Sequence, residues 1–174
     1  EREKYDSSLR DVLEGLGLGR SATAIEIGPG EGQFLVELAS RFDSLTAVDN
    51  SKDMLERSRS AVAEAGFSHV NFIHGEAADA AAAANGHADL VVFDMVLHHI
   101  ATPAATFKDA AELLGSGGLL LIIELCSHDQ DWVRSSCGDL WLGFEEGELD
   151  QWAASSGLQF EQSSNLALRN GFQI

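Results

Sequence analysis

The stretch Glu26-Ile27-Gly28-Pro29-Gly30-Glu31-Gly32 decides the fold. Its alternate glycines follow a short apolar run at 22–27 and precede a helical pattern with Phe34, Leu35, Leu38 and Phe42 at i, i+1, i+4 and i+8. The alternation of strand and helix continues outward from there. Residues 44–49 read as a second strand, and Ser51 N-caps a helix running to about 65 that Gly66 ends. Residues 70–74 read as a third strand, 76–85 as an alanine-rich helix, and 88–94 as a fourth strand whose near-continuous apolar character marks burial on both faces. Thr102-Pro103 opens a helix through about 114, with proline at its first position, and Gly117-Gly118 precedes a fifth buried strand at 119–125. An irregular, tryptophan-containing segment at 126–144 follows, then a helix at 146–156, a strand-like stretch at 158–163 and a last strand at 166–174. This order predicts an α/β fold, a doubly wound and mostly parallel sheet in a single three-layer domain.

At 174 residues and 18.6 kDa the chain is about one domain long, on a prior of roughly 100–200 residues each. A hydrophobic share of 45% with 22% charged residues excludes wholesale disorder. No apolar run approaches the roughly 18 residues of a membrane span, so no membrane partner is expected. The start has no basic, signal-like segment, and two cysteines, Cys126 and Cys137, are too few for a secreted disulfide scaffold. A cytoplasmic location is predicted, with both cysteines as buried small apolar residues. The formal net charge is −17, and after Ala111 only Arg134 and Arg169 stand against ten acids. Phosphate backbones are bound by cations, so nucleic acid is excluded as a partner of this domain itself.

Glycines between a strand and a helix let the backbone turn sharply and approach a ligand closely. Asp49 ends the second strand, 17 residues past Gly32, where a carboxylate can accept hydrogen bonds from both ribose hydroxyls. A glycine turn beside one ribose-reading acid points to a nucleoside-containing cofactor. The dinucleotide pattern G-x-G-x-x-G fails here, because Gln33 occupies its third glycine position and glycine falls at Gly32. Glu26, just before the turn, suits a ligand with an ammonium group and suits a pyrophosphate poorly. S-adenosylmethionine carries that ammonium, a ribose and no phosphate. A nicotinamide-dependent oxidoreductase is therefore the disfavoured rival.

The stretches AIEIGPGEGQFLVELA, LTAVDNSKDMLERSR, ADLVVFDMVLHHI and LGSGGLLLIIEL resemble the class I S-adenosylmethionine-dependent methyltransferases, in order and spacing, over about 16–125. The resemblance implies a Rossmann-like sheet and an enzyme that consumes S-adenosylmethionine and releases S-adenosylhomocysteine. It assigns Gly28, Gly30 and Gly32 to the methionine part and Glu26 to the amino group. Asp49 falls to the ribose, Asn50 and Met54 to the side of the adenine, and Glu76 and Ala77 to the adenine edge. Asp94, Met95 and Leu97 fall to the stretch lining the sulfonium. The residues 128–134, 138–144 and 165–172 are similar to those of methyltransferase domains fused behind ArsR-type winged-helix regulators. That likeness implies a chain that is part of a longer protein with an N-terminal winged-helix domain.

In many enzymes of this class the stretch after the fifth strand covers the acceptor, so 126–144 is the candidate cover, with His128, Trp132, Arg134, Trp141 and Phe144 as candidate walls. His98 and His99 past the fourth strand, and Glu124, His128 and Asp129 past the fifth, are the candidate bases, with the three histidines foremost, although the adjacent histidines read more readily as a cap or brace of the following helix. His69, His74 and His87 read as solvated. A helical pattern at 5–18 is the candidate helix lying across the cofactor. Arsenic chemistry needs several converging thiolates, and neither C-x-x-C nor H-x-x-x-H spacing occurs, so no metal is expected. The expected function is methyl transfer to a small-molecule acceptor; the alternative is a cofactor-binding sensor or interaction domain of a transcriptional regulator without turnover.

Overall fold

Successive residues of the central strands face opposite ways, and both faces are apolar. Ala24, Leu45, Leu90 and Val92 belong to one buried cluster, and Ile25, Val48, Val91 and Phe93 to the other. A sheet with two apolar faces has to be covered on both, which makes three layers. In this computed structural model, which describes residues 2–81, 87–166, 168 and 172–174, the elements run α1 (Arg2–Gly15), β1 (Thr23–Ile27), α2 (Gln33–Arg41), β2 (Ser44–Asp49), α3 (Lys52–Glu64), β3 (Val70–His74), β4 (Ala88–Asp94), α4 (Pro103–Leu113), β5 (Leu114–Ile123), α5 (Trp132–Ser136) and α6 (Glu146–Ser155). The strands form one parallel sheet in the order β3-β2-β1-β4-β5. Tyr5, Leu9 and Leu13 of α1 and Phe34, Leu35 and Leu38 of α2 cover one face. Phe107, Ala110 and Leu113 of α4, with Trp152 of α6, cover the other.

The local signals work as sequence chemistry expects. Ser51 Oγ accepts from Met54 N at 3.3 Å, capping α3. Gly32 has φ 87°, and a Cβ there would stand 2.8 Å from Ser58 Cα, so glycine is what lets α2 and α3 pack. Gly32→Ala is expected to destabilise the domain by about 2–5 kcal/mol, combining left-handed strain with overpacking. Thermal unfolding should read this as a drop of about 4–20 °C, at about 2–4 °C per kcal/mol. Gly30→Ala, whose Cβ would meet nothing within 4 Å, should lose only the backbone part. Equal losses in the two variants would contradict this account.

Several expectations are corrected. The fifth strand spans Leu114–Ile123 and is half-buried rather than buried, because among the described residues it is an edge of the sheet. Glu76 does not begin a helix. It caps a 3-10 turn at Ala77–Ala80, with Asp79 Oδ2 accepting from Glu76 N at 2.7 Å, and residues 82–86 of the expected helix lie outside the described residues. The stretch 158–163 forms no strand; after Leu158 its one large apolar residue, Phe160, is 57% exposed, so docking it on the sheet would bury little apolar area. Over 166–174 the described residues form no ladder: Leu166 N donates to Ile174 O and Cys126 N to Gln173 O, while 167 and 169–171 lie outside the described residues. Cys137 is exposed at the end of the five-residue α5, and Cys126 is half-buried beyond the sheet edge, so neither is a core residue. His69 is not simply solvated, since its Nε2 bonds Phe42 O at 2.9 Å.

Candidate functional site

The chain leaves β1, winds outward through β2 and β3, then returns to lay β4 on the other side of β1. The carboxyl ends of β1 and β4 therefore splay apart at a topological switch point, where open α/β sheets bind ligands. An open cavity of about 410 Å³ lies there, within the roughly 300–1,000 Å³ usual for small-ligand sites. Every strand of its rim contributes residues at or just past its carboxyl end. Gly28 and Gly30 come from β1, Asp49, Asn50 and Met54 from β2 and the turn into α3, Glu76 from after β3, and Asp94 and Met95 from β4.

Gly28 and Gly30 have φ of 72° and 55°. A Cβ on Gly28 would stand 2.5 Å from Val96 Cγ2, so glycine permits the turn after β1 to close on the turn after β4. Met95 is the single non-glycine residue with positive φ among those described, at 56°. A bulky residue in that region is strained, and such strain gathers at functional sites. Its N–H donates to Ile123 O at 2.8 Å, which holds the bend in place. Asp49 Oδ1 accepts from Ser51 N at 2.9 Å, and Glu76 Oε1 accepts from Asn50 Nδ2 at 2.9 Å, so both acids on this wall are oriented before any ligand arrives.

Glu26 is 1% exposed in the central strand, one residue back from the lining, and its Oε2 has no hydrogen-bond partner. Burial, and after it the charge of Asp94, hold its carboxyl well above the ordinary value of 4.5. Ionisable groups held at such a cost beneath a cavity cluster at functional sites, which makes Glu26 a candidate.

The histidines separate by environment. His99 lines the cavity, with Nδ1 3.4 Å from Gly138 O. His98 is buried behind it, its Nδ1 2.5 Å from Glu124 Oε1. Burial pushes the His98 pKa down, but the hydrogen bond to Glu124 and the charges of Glu124 and Asp139 outweigh that and raise it. His128 lies off the cavity, its Nδ1 accepting from Gln130 N and its ring 4.8 Å from that of Phe172. Gly32, Ala77 and Leu97 are also off the lining: Gly32 packs on Ser58, and Ala77 and Leu97 are buried. No residue of 126–144 touches the cavity directly. Trp141 and Phe144 instead pack on Trp152, and Trp141 Nε1 donates to Ile100 O at 2.8 Å. The helix α1 likewise contributes nothing to the lining. Sequence reading passed over Gln33, Phe34, Val96 and Ile100, which do line it. Val96 and Ile100 carried one available signal, their place beside Met95 and His99.

A family described as "Methyltransferase domain" matches residues 2–167. The tRNA 5-carboxymethoxyuridine methyltransferase of Escherichia coli K12 is 30% identical over 105 residues, covering 60% of this chain and 40% of that protein. The chain therefore spans 40% of the length of that relative. The N-methyltransferase NodS of Bradyrhizobium japonicum WM9, solved with S-adenosylhomocysteine, superposes with a TM-score of 0.73 at 19% identity, over 99% of this chain and 86% of that one. The YcgJ protein of Bacillus subtilis superposes with a TM-score of 0.75 at 18% identity, over 92% of this chain and 73% of that one.

Proposed function

The chain belongs to the methyltransferase-domain family, and we propose that residues 1–174 act as one domain that methylates a small molecule from S-adenosylmethionine. The observation that carries this reading is the buried Glu26 carboxyl beneath the glycine turn, whose Oε2 has no hydrogen-bond partner, with Asp49 on the same rim. A desolvated acid with an oxygen left unbonded fits a ligand that brings a cation, and the left-handed, side-chain-free surface at Gly30 fits a ligand that comes close to the backbone. When bound, the cofactor supplies a methyl group on a positively charged sulfur.

The chain's own residues would then divide the work. Glu26 offsets the ammonium charge, and Gly28 and Gly30 shape the turn around the methionine part. Asp49, already aimed by Ser51 N, accepts from the ribose hydroxyls. Met54 and Asn50 flank the adenine, and Glu76 reads its edge. Asp94 and Met95 bound the sulfonium side. Gly32, Ala77 and Leu97 support these groups from behind through packing. Methyl transfer depends chiefly on alignment and exclusion of water. A base enters only for an acceptor that must lose a proton, and among the three candidate histidines His99 is the one on the cavity wall. The segment 126–144 would cover the acceptor side, supported by the bonds from Leu140 N and Trp141 N to His98 O.

The tRNA acceptor in the name of the Escherichia coli relative is not carried over, because a net charge of −17 repels a phosphate backbone. Among the described residues no helix is long and apolar enough to cross a membrane. The deciding test is a thermal-shift titration with S-adenosylmethionine, S-adenosylhomocysteine and a nicotinamide dinucleotide in parallel. At about 100 times its dissociation constant a ligand adds about 2.7 kcal/mol, expected here as a shift of about 5–11 °C with the two sulfur nucleosides alone. A shift with the dinucleotide alone would overturn the reading. Release of S-adenosylhomocysteine with any of a panel of small acceptors separates an enzyme from a sensor.

A further inference from the structure

At the cavity wall and just behind it, His99, His98 and Asp139 offer one donor atom each, and these three atoms all lie within 4.8 Å of one another. Asp139 Oδ1 stands 3.9 Å from His98 Nε2 and 3.6 Å from His99 Nδ1. The Asp139 side chain is 4% exposed, and this oxygen has no hydrogen-bond partner. A buried carboxylate oxygen left unpaired between two imidazoles is costly unless something else binds there. Glu124 supplies the support that such a site needs. Its Oε1 accepts from His98 Nδ1 and from Leu125 N, and its Oε2 from His98 N, which makes it a fully engaged acceptor. With Nδ1 donating to Glu124, His98 presents Nε2 toward Asp139. A carboxylate that fixes the tautomer and tilt of an imidazole is the usual backing of a metal-ligating histidine.

We propose that His98 Nε2, His99 Nδ1 and Asp139 Oδ1 bind one divalent transition-metal ion of the zinc type, with Glu124 as the positioning residue and with His99 carrying its proton on Nε2, so that Nδ1 exchanges its long 3.4 Å contact with Gly138 O for the ion. Two imidazole nitrogens and one carboxylate suit zinc and its neighbours better than magnesium or calcium, which prefer all-oxygen shells. Ligand atoms around a tetrahedral zinc at about 2.0–2.1 Å stand about 3.3–3.5 Å apart, so Asp139 Oδ1, at 3.9 and 3.6 Å from the two nitrogens, is within about 0.6 Å of that spacing, and all three atoms, within 4.8 Å of one another, close on an ion by an inward turn of the rings. His99, with 43% of its side chain exposed, gives an ion its route in from the cavity side. Three protein ligands leave a fourth position open, as in sites where zinc binds a substrate or water. Spacing rules miss this arrangement because two of its ligands are adjacent in sequence and the third comes from a separate loop. The site stands independently of the cofactor reading.

The test is titration of the metal-free, untagged chain with Co2+, followed by competition with Zn2+. One equivalent of Co2+ is expected to give visible d–d absorption that Zn2+ removes. His99→Ala and Asp139→Asn should abolish that binding, and Glu124→Gln should weaken it about 10–100-fold. If Asp139→Asn fails to fold, His99→Ala carries the test, because its ring is partly exposed and its removal leaves the core intact. No absorption at one equivalent, or absorption unchanged in His99→Ala, overturns the proposal. Either result leaves the S-adenosylmethionine thermal shift to be judged separately.

Discussion

Asp49→Ala is expected to lower affinity for S-adenosylmethionine and S-adenosylhomocysteine by about a hundredfold or more. Two hydrogen bonds from ribose hydroxyls to a carboxylate contribute about 1.5–3 kcal/mol each, and every 1.4 kcal/mol is about tenfold. The fold should survive. Asp49 is the last residue of β2 and only half-buried, and the one hydrogen bond an alanine would remove is that from Ser51 N. That bond, also to the charged carboxylate, contributes about 1.5–3 kcal/mol, so the melting temperature should fall by about 3–12 °C at about 2–4 °C per kcal/mol. Asp49→Asn retains an oxygen for Ser51 N and should keep the melting temperature while still losing much of the affinity. Calorimetric titration of both variants checks this, and unchanged affinity in Asp49→Ala would remove Asp49 from the site.

Glu26→Gln should separate stability from binding even more clearly. The folded-state carboxyl titrates well above its ordinary value of 4.5 because it is buried and faces the charge of Asp94. Between the ordinary value and the raised one, the folded chain holds a proton that the unfolded chain has released. Stability contributed by this group therefore falls as pH rises through that window and stays low above it. Glu26→Gln removes the titration, so the ligand-free variant should melt higher than the parent above the ordinary carboxyl range, with the gap closing on acidification. The same variant should lose about tenfold to a hundredfold in S-adenosylmethionine affinity, the worth of a hydrogen bond to a charged group at about 1.5–3 kcal/mol.

A sharper sign follows for the parent. An ammonium brought near Glu26 favours its charged form. Binding should therefore release a proton within the window, and affinity should rise with pH across it. Calorimetry in buffers of differing ionisation enthalpy reads this proton directly. Proton uptake, or an affinity that falls with rising pH, would contradict the pairing of Glu26 with the ammonium.

Much of the fold was legible in the chain because the signals are local. The second, third and fourth strands, 44–49, 70–74 and 88–94, have the bounds that apolar runs bracketed by turn residues imply. Ser51 and Gly66 ended the third helix through capping chemistry that involves only neighbours. The rim of the cavity was legible for a related reason. In a parallel sheet the residues past each strand's carboxyl end share one edge, so Gly28, Gly30, Asp49, Glu76 and Met95 had to converge once the strands were found.

What the sequence determined by itself was this periodicity, and with it the layers, the strand ends and the charge. Tertiary structure decided everything that depends on who packs against whom. Leu119–Leu121 read as buried but lie half-exposed, because only strand order puts β5 at an edge. Gly32 and Gly30 are equivalent in the motif, yet one meets Ser58 and the other open space, since only the approach of α3 tells them apart. Adjacent His98 and His99 differ because Glu124 reaches one from the end of β5 and the cavity opens beside the other. Desolvation and pairing are properties of three-dimensional neighbourhoods, and these residues are separated in the chain by more than any local period can relate.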